Sequence, residues 1–202
     1  MKISGTKTDN NPEAFAAKVG IRENVLQLVK PSRVFDAFCG TGKMYREVWA
    51  KADAYVGCDS REWLFSDPPR FMADNHDVMR SIDLQQFNIF DFDSYGSPWD
   101  QVLILAARRR WRKGEIGGLI LTDGSSLKTR MGGLPFSLAT LAGLDSASKS
   151  PSTHGNIAIS KLALAGFLRR SNLEITHAWE ADGATSSKMV YSGIVFQSKG
   201  SK

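Results

Sequence analysis

RVFDAFCGTGKMYREVW, residues 33–49, decides the fold. A short β-favouring run ends in an acid, passes through a turn holding Gly40 and Gly42, and continues as a helical stretch. A strand that opens through a glycine turn into a helix is the entry unit of a parallel α/β sheet, and the turn is where such sheets hold ligands. Downstream, AYVGCD (54–59) and RFMAD (70–74) read as two further strands, followed by FNIFDFD (87–93), GGLILTD (117–123), EITHAWE (174–180) and MVYSGIVFQ (189–197). Helical spacing is expected over 43–51, 76–85, 98–112 and 157–171, the last with Asn156 as its N-cap. Upstream, Asn11 and Pro12 start a helical segment that lasts to Pro31, with Gly20 a candidate break. Strands alternating with helices predict an α/β fold, a Rossmann-like, doubly wound and mostly parallel seven-stranded sheet. Its final two strands, joined by a turn around Asp182 and Gly183, are expected to pair antiparallel at the edge.

Composition sets the bounds. The 202 residues, 42% of them hydrophobic, suffice for one buried core, and no low-complexity linker divides them, so residues 1–202 read as one domain. Residues 1–30 form an N-terminal helical segment in this reading. Residues 124–155, rich in Gly, Ser and Pro, form a long connection of the kind that shapes a substrate site. Two cysteines, Cys39 and Cys58, sit in glycine-containing turns, which argues against a disulfide framework and for a reducing cytoplasm. The start of the chain has no apolar signal region, and no run approaches the roughly 20 apolar residues of a membrane span. A soluble cytoplasmic protein without a metal is expected. The net charge of +5 favours a polyanionic partner.

The glycine turn has a chemistry of its own. In DAFCGTG (36–42), Gly40 and Gly42 let the backbone approach a ligand closely, and Asp36 stands where a carboxylate can meet an amine or a hydroxyl. A carboxylate suits phosphate poorly, and neither G-x-G-x-x-G nor G-x-x-x-x-G-K-[ST] is present. Asp59, ending the second strand, stands where an acid holds both hydroxyls of a ribose. Asp74, after the third, is placed near an adenine. An adenosyl group with a cationic amino-acid tail matches this acid pattern. In FNIFDFDSYGSP (87–98), the fourth strand delivers the acid Asp93 and the ring of Tyr95 to the same end of the sheet.

The order D-x-F-x-G-x-G, an acid ending the second strand and an acid after the third resembles the class I S-adenosylmethionine-dependent methyltransferases over residues 30–197. FDFDSYGSP is further similar to the fourth-strand motif of the tRNA guanine dimethyltransferase family, Asp-Pro-aromatic-Gly-Ser-Pro. Asp93, Tyr95, Gly96, Ser97 and Pro98 match it, Ser94 replaces the proline, and Thr122 and Asp123 also fit. The resemblance implies S-adenosyl-L-methionine as cofactor, held by Asp36, Phe38, Gly40, Gly42, Asp59, Asp74, Asn75 and Asp93. It also implies methyl transfer to an exocyclic amine of RNA, tRNA guanine in particular, with Asp93 accepting the amine hydrogens and Tyr95 stacking on the base. It does not extend to the additional carboxy-terminal domain of those enzymes, so an accessory recognition subunit is expected.

Two other readings stay open: a methyltransferase for DNA, protein or a small molecule, and a nucleic-acid-binding protein that keeps the fold without the activity. Asp91 shares a strand face with Asp93 and reads as an acid satisfying local backbone rather than half of a hydrolytic pair. ARRRWRKGE (107–115) reads either as a phosphate-binding strip with Trp111 stacking beneath or as a solvated helix end. His76, His154 and His177 lack metal-ligand spacing and read as ordinary surface or packed residues. SSLK (125–128) matches a nucleophile motif by chance, and ISKLALAGFL (159–168) is core.

Overall fold

In the computed structural model, which describes residues 11–61, 69–125, 133–146, 153–182 and 189–200, seven strands form one sheet. They are β1 (Arg33–Asp36), β2 (Ala54–Asp59), β3 (Arg70–Met72), β4 (Ile89–Asp93), β5 (Ile116–Asp123), β6 (Leu173–Asp182) and β7 (Val190–Ser198). Their order is β3-β2-β1-β4-β5-β7-β6. The first five are parallel, and β7 lies antiparallel between β5 and β6. The sequence reading of a mostly parallel sheet with an antiparallel end therefore holds. The turn expected around Gly183 lies outside the described residues. No helix among the described residues is long and apolar enough to cross a membrane.

The helices are α1 (Pro12–Leu28), α2 (Lys43–Glu47), α3 (Asn75–Ser81), α4 (Trp99–Arg108), α5 (Phe136–Ala142) and α6 (Thr153–Ser171). The α1 helix covers one face of the sheet with Ile21, Val25 and Leu26, packing on Val34, Ile89 and Ile120 beside α2. Phe35, Phe90, Phe92, Leu119 and Leu121 point to the other face, where α3 to α6 lie. Both faces of the central strands are thus dry, as near-continuous apolar runs in a parallel sheet require.

Several boundaries differ from expectation for local reasons. Gly20 does not break α1, whose start is fixed by Asn11 accepting the backbone N–H groups of Glu13 and Ala14. The segment expected as one helix over 43–51 ends its α-turns at Glu47 and finishes as a 3-10 turn at Trp49–Lys51. The helix expected over 76–85 stops at Ser81, and Asp83 caps a separate 3-10 turn at Leu84–Gln86. That expected over 98–112 stops at Arg108, because Arg109 turns extended and buries its guanidinium, donating to the Phe87 carbonyl and lying 4.1 Å above the Trp111 ring. The last long helix begins at Thr153, so Asn156 is inside it rather than at its cap.

The connection 124–155 is not wholly irregular. Pro135 opens α5 and Gly143, at φ +71°, closes it. The α5 helix packs on α6 so closely that a Cβ on Gly166 would stand 1.8 Å from the Leu141 carbonyl oxygen. Backbone cannot yield as a flexible side chain does, so Gly166→Ala should cost about 1–3 kcal/mol or more. Urea unfolding should show it as a lower midpoint at unchanged slope, whereas Gly20→Ala, with nothing within 4 Å, should not be destabilised.

Candidate functional site

The sheet reverses its strand order between β1 and β4, and ligands of open α/β sheets bind at the carboxyl ends of the strands beside such a point. Asp36 and Asp91 are register partners there, and the Ala37 N–H continues the ladder onto the Asp91 carbonyl.

The glycine turn is braced from below. Asp36, only 2% exposed, accepts from the Phe38 N–H at 3.0 Å and the Tyr55 hydroxyl at 3.0 Å. Burial, and next the neighbouring Asp91 charge, push its carboxyl well above the ordinary range. Asp36 therefore shapes the turn from beneath instead of facing the cleft. Gly40 and Gly42 have φ of +51° and +77°, values that a residue with a side chain rarely adopts. Asp59 ties the turn to β2, one oxygen accepting the Gly40 N–H and the other that of Arg61, both at 2.9 Å. Each oxygen keeps a lone pair for a ligand hydroxyl. Phe38 is half-buried against the core of the α3–α6 face.

Asp74 caps α3, taking the His76 N–H at 2.8 Å and the ring Nδ1 at 3.0 Å. Asn75 donates to the Ala37 carbonyl at 3.2 Å and accepts from Gln101 Nε2 at 2.7 Å, so it pins the start of α3 to the end of β1. His76 Nε2 lies 3.1 Å from the same Gln101 nitrogen, which makes it a member of this network rather than an isolated surface residue. The structure thus gathers Phe38, Gly40, Gly42, Asp59, Asp74 and Asn75 along the ends of β1, β2 and β3.

The tip of β4 holds the main correction. Asp91 is not satisfied by local backbone. Arg22 of α1 grips it with two bonds, Nε at 2.7 Å and Nη2 at 2.8 Å, and Trp49 Nε1 donates at 2.8 Å. The same guanidinium reaches Asp93 Oδ2 at 3.2 Å, while Lys18 Nζ, one helical turn earlier, meets Asp93 Oδ1 at 3.0 Å. Burial alone would raise the Asp93 carboxyl, but Arg22 and Lys18, aided by the Thr122 side chain, hold it below the ordinary range. Asp93 is therefore an anion and an acceptor throughout neutral pH, with a side chain 17% exposed. Sequence reasoning missed Lys18 and Arg22, although a signal was present. They fall in the stripe Ala14, Lys18, Ile21, Arg22, Val25 that α1 buries, and cations on a helix's buried face require acids opposite.

Beyond Asp93 the chain turns outward and Tyr95 stands 69% exposed. Ser94, where the resemblance has proline, is buried and donates its hydroxyl to the Thr122 carbonyl at 3.1 Å, joining the tips of β4 and β5. Asp123 faces the opposite side of the sheet and accepts from Trp99 Nε1 at 2.9 Å, Ser160 at 2.6 Å and the Ser125 N–H at 2.9 Å. It secures α4 and α6 and does not line the cleft.

No protein-family model matches the chain, and no curated protein matches it. Solved structures do. Trm1 from Pyrococcus horikoshii, in complex with S-adenosyl-L-methionine, is 15% identical with a TM-score of 0.55 over 93% of this chain and 56% of its own. The N-methyltransferase NodS from Bradyrhizobium japonicum, with S-adenosyl-L-homocysteine, is 10% identical with a TM-score of 0.52 over 94% and 89%. TYW2 from M. jannaschii, with AdoMet, is 9% identical with a TM-score of 0.51 over 90% and 76%. The fold is that of the class I S-adenosylmethionine-dependent methyltransferases. The chain spans little more than half the length of Trm1.

Within the methyltransferase fold, the residues present suit an adenosyl sulfonium ligand. The cleft offers carboxylates at Asp59 and Asp74 and a glycine turn that is half-buried at Gly40 and Thr41. These match hydroxyl and amine donors and would repel a phosphate.

The basic strip 107–115 lies at the other end of the sheet, where β5 begins. Trp111 there is 3% exposed, edge-on to Phe90 and Phe196, and cannot stack beneath a base. His177 stacks on Trp179 on the edge strand β6. The side chain of His154 and residues 126–132, which include most of SSLK, lie outside the described residues.

Proposed function

We propose that this protein is an S-adenosylmethionine-dependent methyltransferase acting on an exocyclic base amine of RNA, with tRNA guanine as the substrate. The observation that carries the reading is the tip of β4, where an ionised carboxylate, Asp93, and an exposed ring, Tyr95, adjoin the acid-lined glycine cradle at the switch point. The fourth-strand motif and the likeness to Trm1 and TYW2 support RNA over the alternatives.

S-adenosyl-L-methionine, when bound, supplies an electrophilic methyl group on a sulfonium. The chain's own residues prepare the nucleophile. An exocyclic amine is weakly nucleophilic because its lone pair is delocalised into the base. Lys18, Arg22 and the Thr122 side chain engage three of the four lone-pair sites of Asp93, and an amine hydrogen bonded to the fourth draws the pair back towards nitrogen. Tyr95 offers a stacking face worth about 1–3 kcal/mol to a base turned out of its stack. Transfer of that methyl would leave the C–S electron pair on sulfur, and the amine, held by Asp93, would lose its proton to water.

One observation favours a second reading. Both Asp93 oxygens already hold cations, as a binding protein that kept the fold without the activity would also allow. Incubation with methyl-labelled S-adenosylmethionine and separate pools of unmodified tRNA, other RNA, DNA and protein separates the two. Label in tRNA, located on guanine by nucleoside analysis, is the expected result. Label in another pool alone would move the substrate, and no label with no cofactor affinity would favour the second reading.

A further inference from the structure

Among the described residues, a group of exposed cations gathers away from the methyl-transfer site. At the amino ends of the strands, roughly 25 Å from the β5 tip by strand rise, the last turn of α4, the turn after it and the last turn of α6 meet. Arg108, Arg110, Arg112, Lys113, Arg169 and Arg170 are all exposed there. The nearby acids are spent: Glu115 is bonded to the buried Arg109 and to the Arg112 N–H, and Glu174 pairs with Lys199 at 3.1 Å. None of the six cations has an acidic side-chain partner among the described residues.

Helix-end neutralisation explains only part of this. Arg108 and Arg170 each donate to a carbonyl of a neighbouring helix, Met79 and Thr140, and Arg110 caps the Ala107 carbonyl. The carboxyl ends of α4 and α6 together amount to about one negative charge, against six cations. Each guanidinium that makes one such bond has further N–H donors left. Arg110 and Arg170 also face each other across a recess of about 300 Å³ floored by Leu103, Ala106 and Ala107.

We propose that this pole is a docking surface for the phosphate backbone of RNA, separate from the site that receives the base. The aromatic residue of the strip, Trp111, is buried, so the pole offers a base no stacking platform and its cations are left to meet phosphates. Arginine, which supplies five of the six positive charges, is the side chain suited to paired contacts with phosphate oxygens. The proposal takes RNA from the reading above but does not depend on methyl transfer. A folded RNA gripped here and presenting a base to Tyr95 would be held at two ends of the sheet, which supplies recognition that the motif at β4 lacks.

Fluorescence anisotropy with labelled, unmodified tRNA between 50 and 200 mM salt tests it on the full chain. Arg110→Ala/Arg170→Ala should weaken binding by about 10-fold or more and reduce the slope of log K against log salt by between about 1.4 and 1.8. Arg110→Lys/Arg170→Lys should restore most of both, which a merely structural loss would not. S-adenosylmethionine affinity, measured alongside, should be unchanged in both variants. Unaltered tRNA affinity and slope would overturn the proposal, as would polyglutamate binding as tightly as tRNA, which would assign the pole to an acidic protein. Loss of cofactor binding in the wild type would sink the catalytic reading and leave this measurement intact.

Discussion

Arg22→Met should lower the stability of the protein by about 3–5 kcal/mol, because it leaves the Asp91 carboxylate buried without its cation. Asp91 has no exposed surface, and its remaining partner, Trp49 Nε1, supplies one hydrogen bond against the two from Arg22. For a domain of this size the loss amounts to a Tm fall of roughly 10 °C. The sign with pH follows from the same geometry. Burial already pushes the Asp91 carboxyl up against the pull of Arg22, and removing the guanidinium raises it further. A carboxyl raised in the folded state keeps its proton there while the unfolded chain releases it, so the deficit grows as pH rises above the ordinary value of 3.8 and shrinks in acid. Replacing both partners, Arg22→Met with Asp91→Leu, should recover most of the stability. Urea unfolding of the two variants at pH 4.5 and 7.5 reads all three expectations; equal deficits in the single and double variants would show that the pair is not what holds α1 down.

The second large effect concerns Asp93. Asp93→Asn keeps the shape of the side chain but removes the charge that makes it an acceptor from both oxygens, and its amide NH2 must face either Lys18 or Arg22. Methyl transfer should fall by about 100-fold or more in kcat, the range seen when one preorganised hydrogen-bonding group is lost. Cofactor affinity should barely change, since Asp59, Asp74 and the glycine turn are untouched. Tyr95→Ala should act differently, raising KM for RNA through loss of about 1–3 kcal/mol of stacking while leaving kcat nearly intact. A D93N enzyme with full kcat would remove Asp93 from the mechanism and turn attention to Lys18 and Arg22 as structural clamps alone.

How much of this was legible in the sequence depends on the range of the interaction. Strand positions were readable because each parallel strand is a short apolar run with an acid at its end. Asp36, Asp59, Asp93 and Asp123 all follow from that pattern. The glycine turn was readable because only glycine suits φ of +51° and +77°. What each acid does was not, because the answer lies in residues far along the chain. Asp36 is taken by Tyr55, nineteen positions away, and Asp91 by Arg22, 69 positions away. Periodicity marked Lys18 and Arg22 as facing inward but could not say which acids awaited them. The helix α5 escaped notice because its Gly-, Ser- and Pro-rich surroundings resemble a loop, and its stability comes from contact with Gly166 rather than from its own sequence. Ser94 looked like a defect in a motif and is a hydrogen-bonded staple between two strand tips.

The place of β7 has a consequence for how the molecule is made. Residues 190–198 are synthesised after every other strand, yet they lie inside the sheet between β5 and β6. Until they emerge, β5 presents an open edge of unpaired backbone groups, and β6 has no neighbour at all. Such an edge is a template for pairing with another chain. At ribosomal rates of about 5–20 residues per second, the interval between completing Asp123 and completing Ser198 lasts several seconds. In that window the nascent protein is most exposed to aggregation, and chaperone demand should be set by the timing of one late strand rather than by the stability of the finished fold.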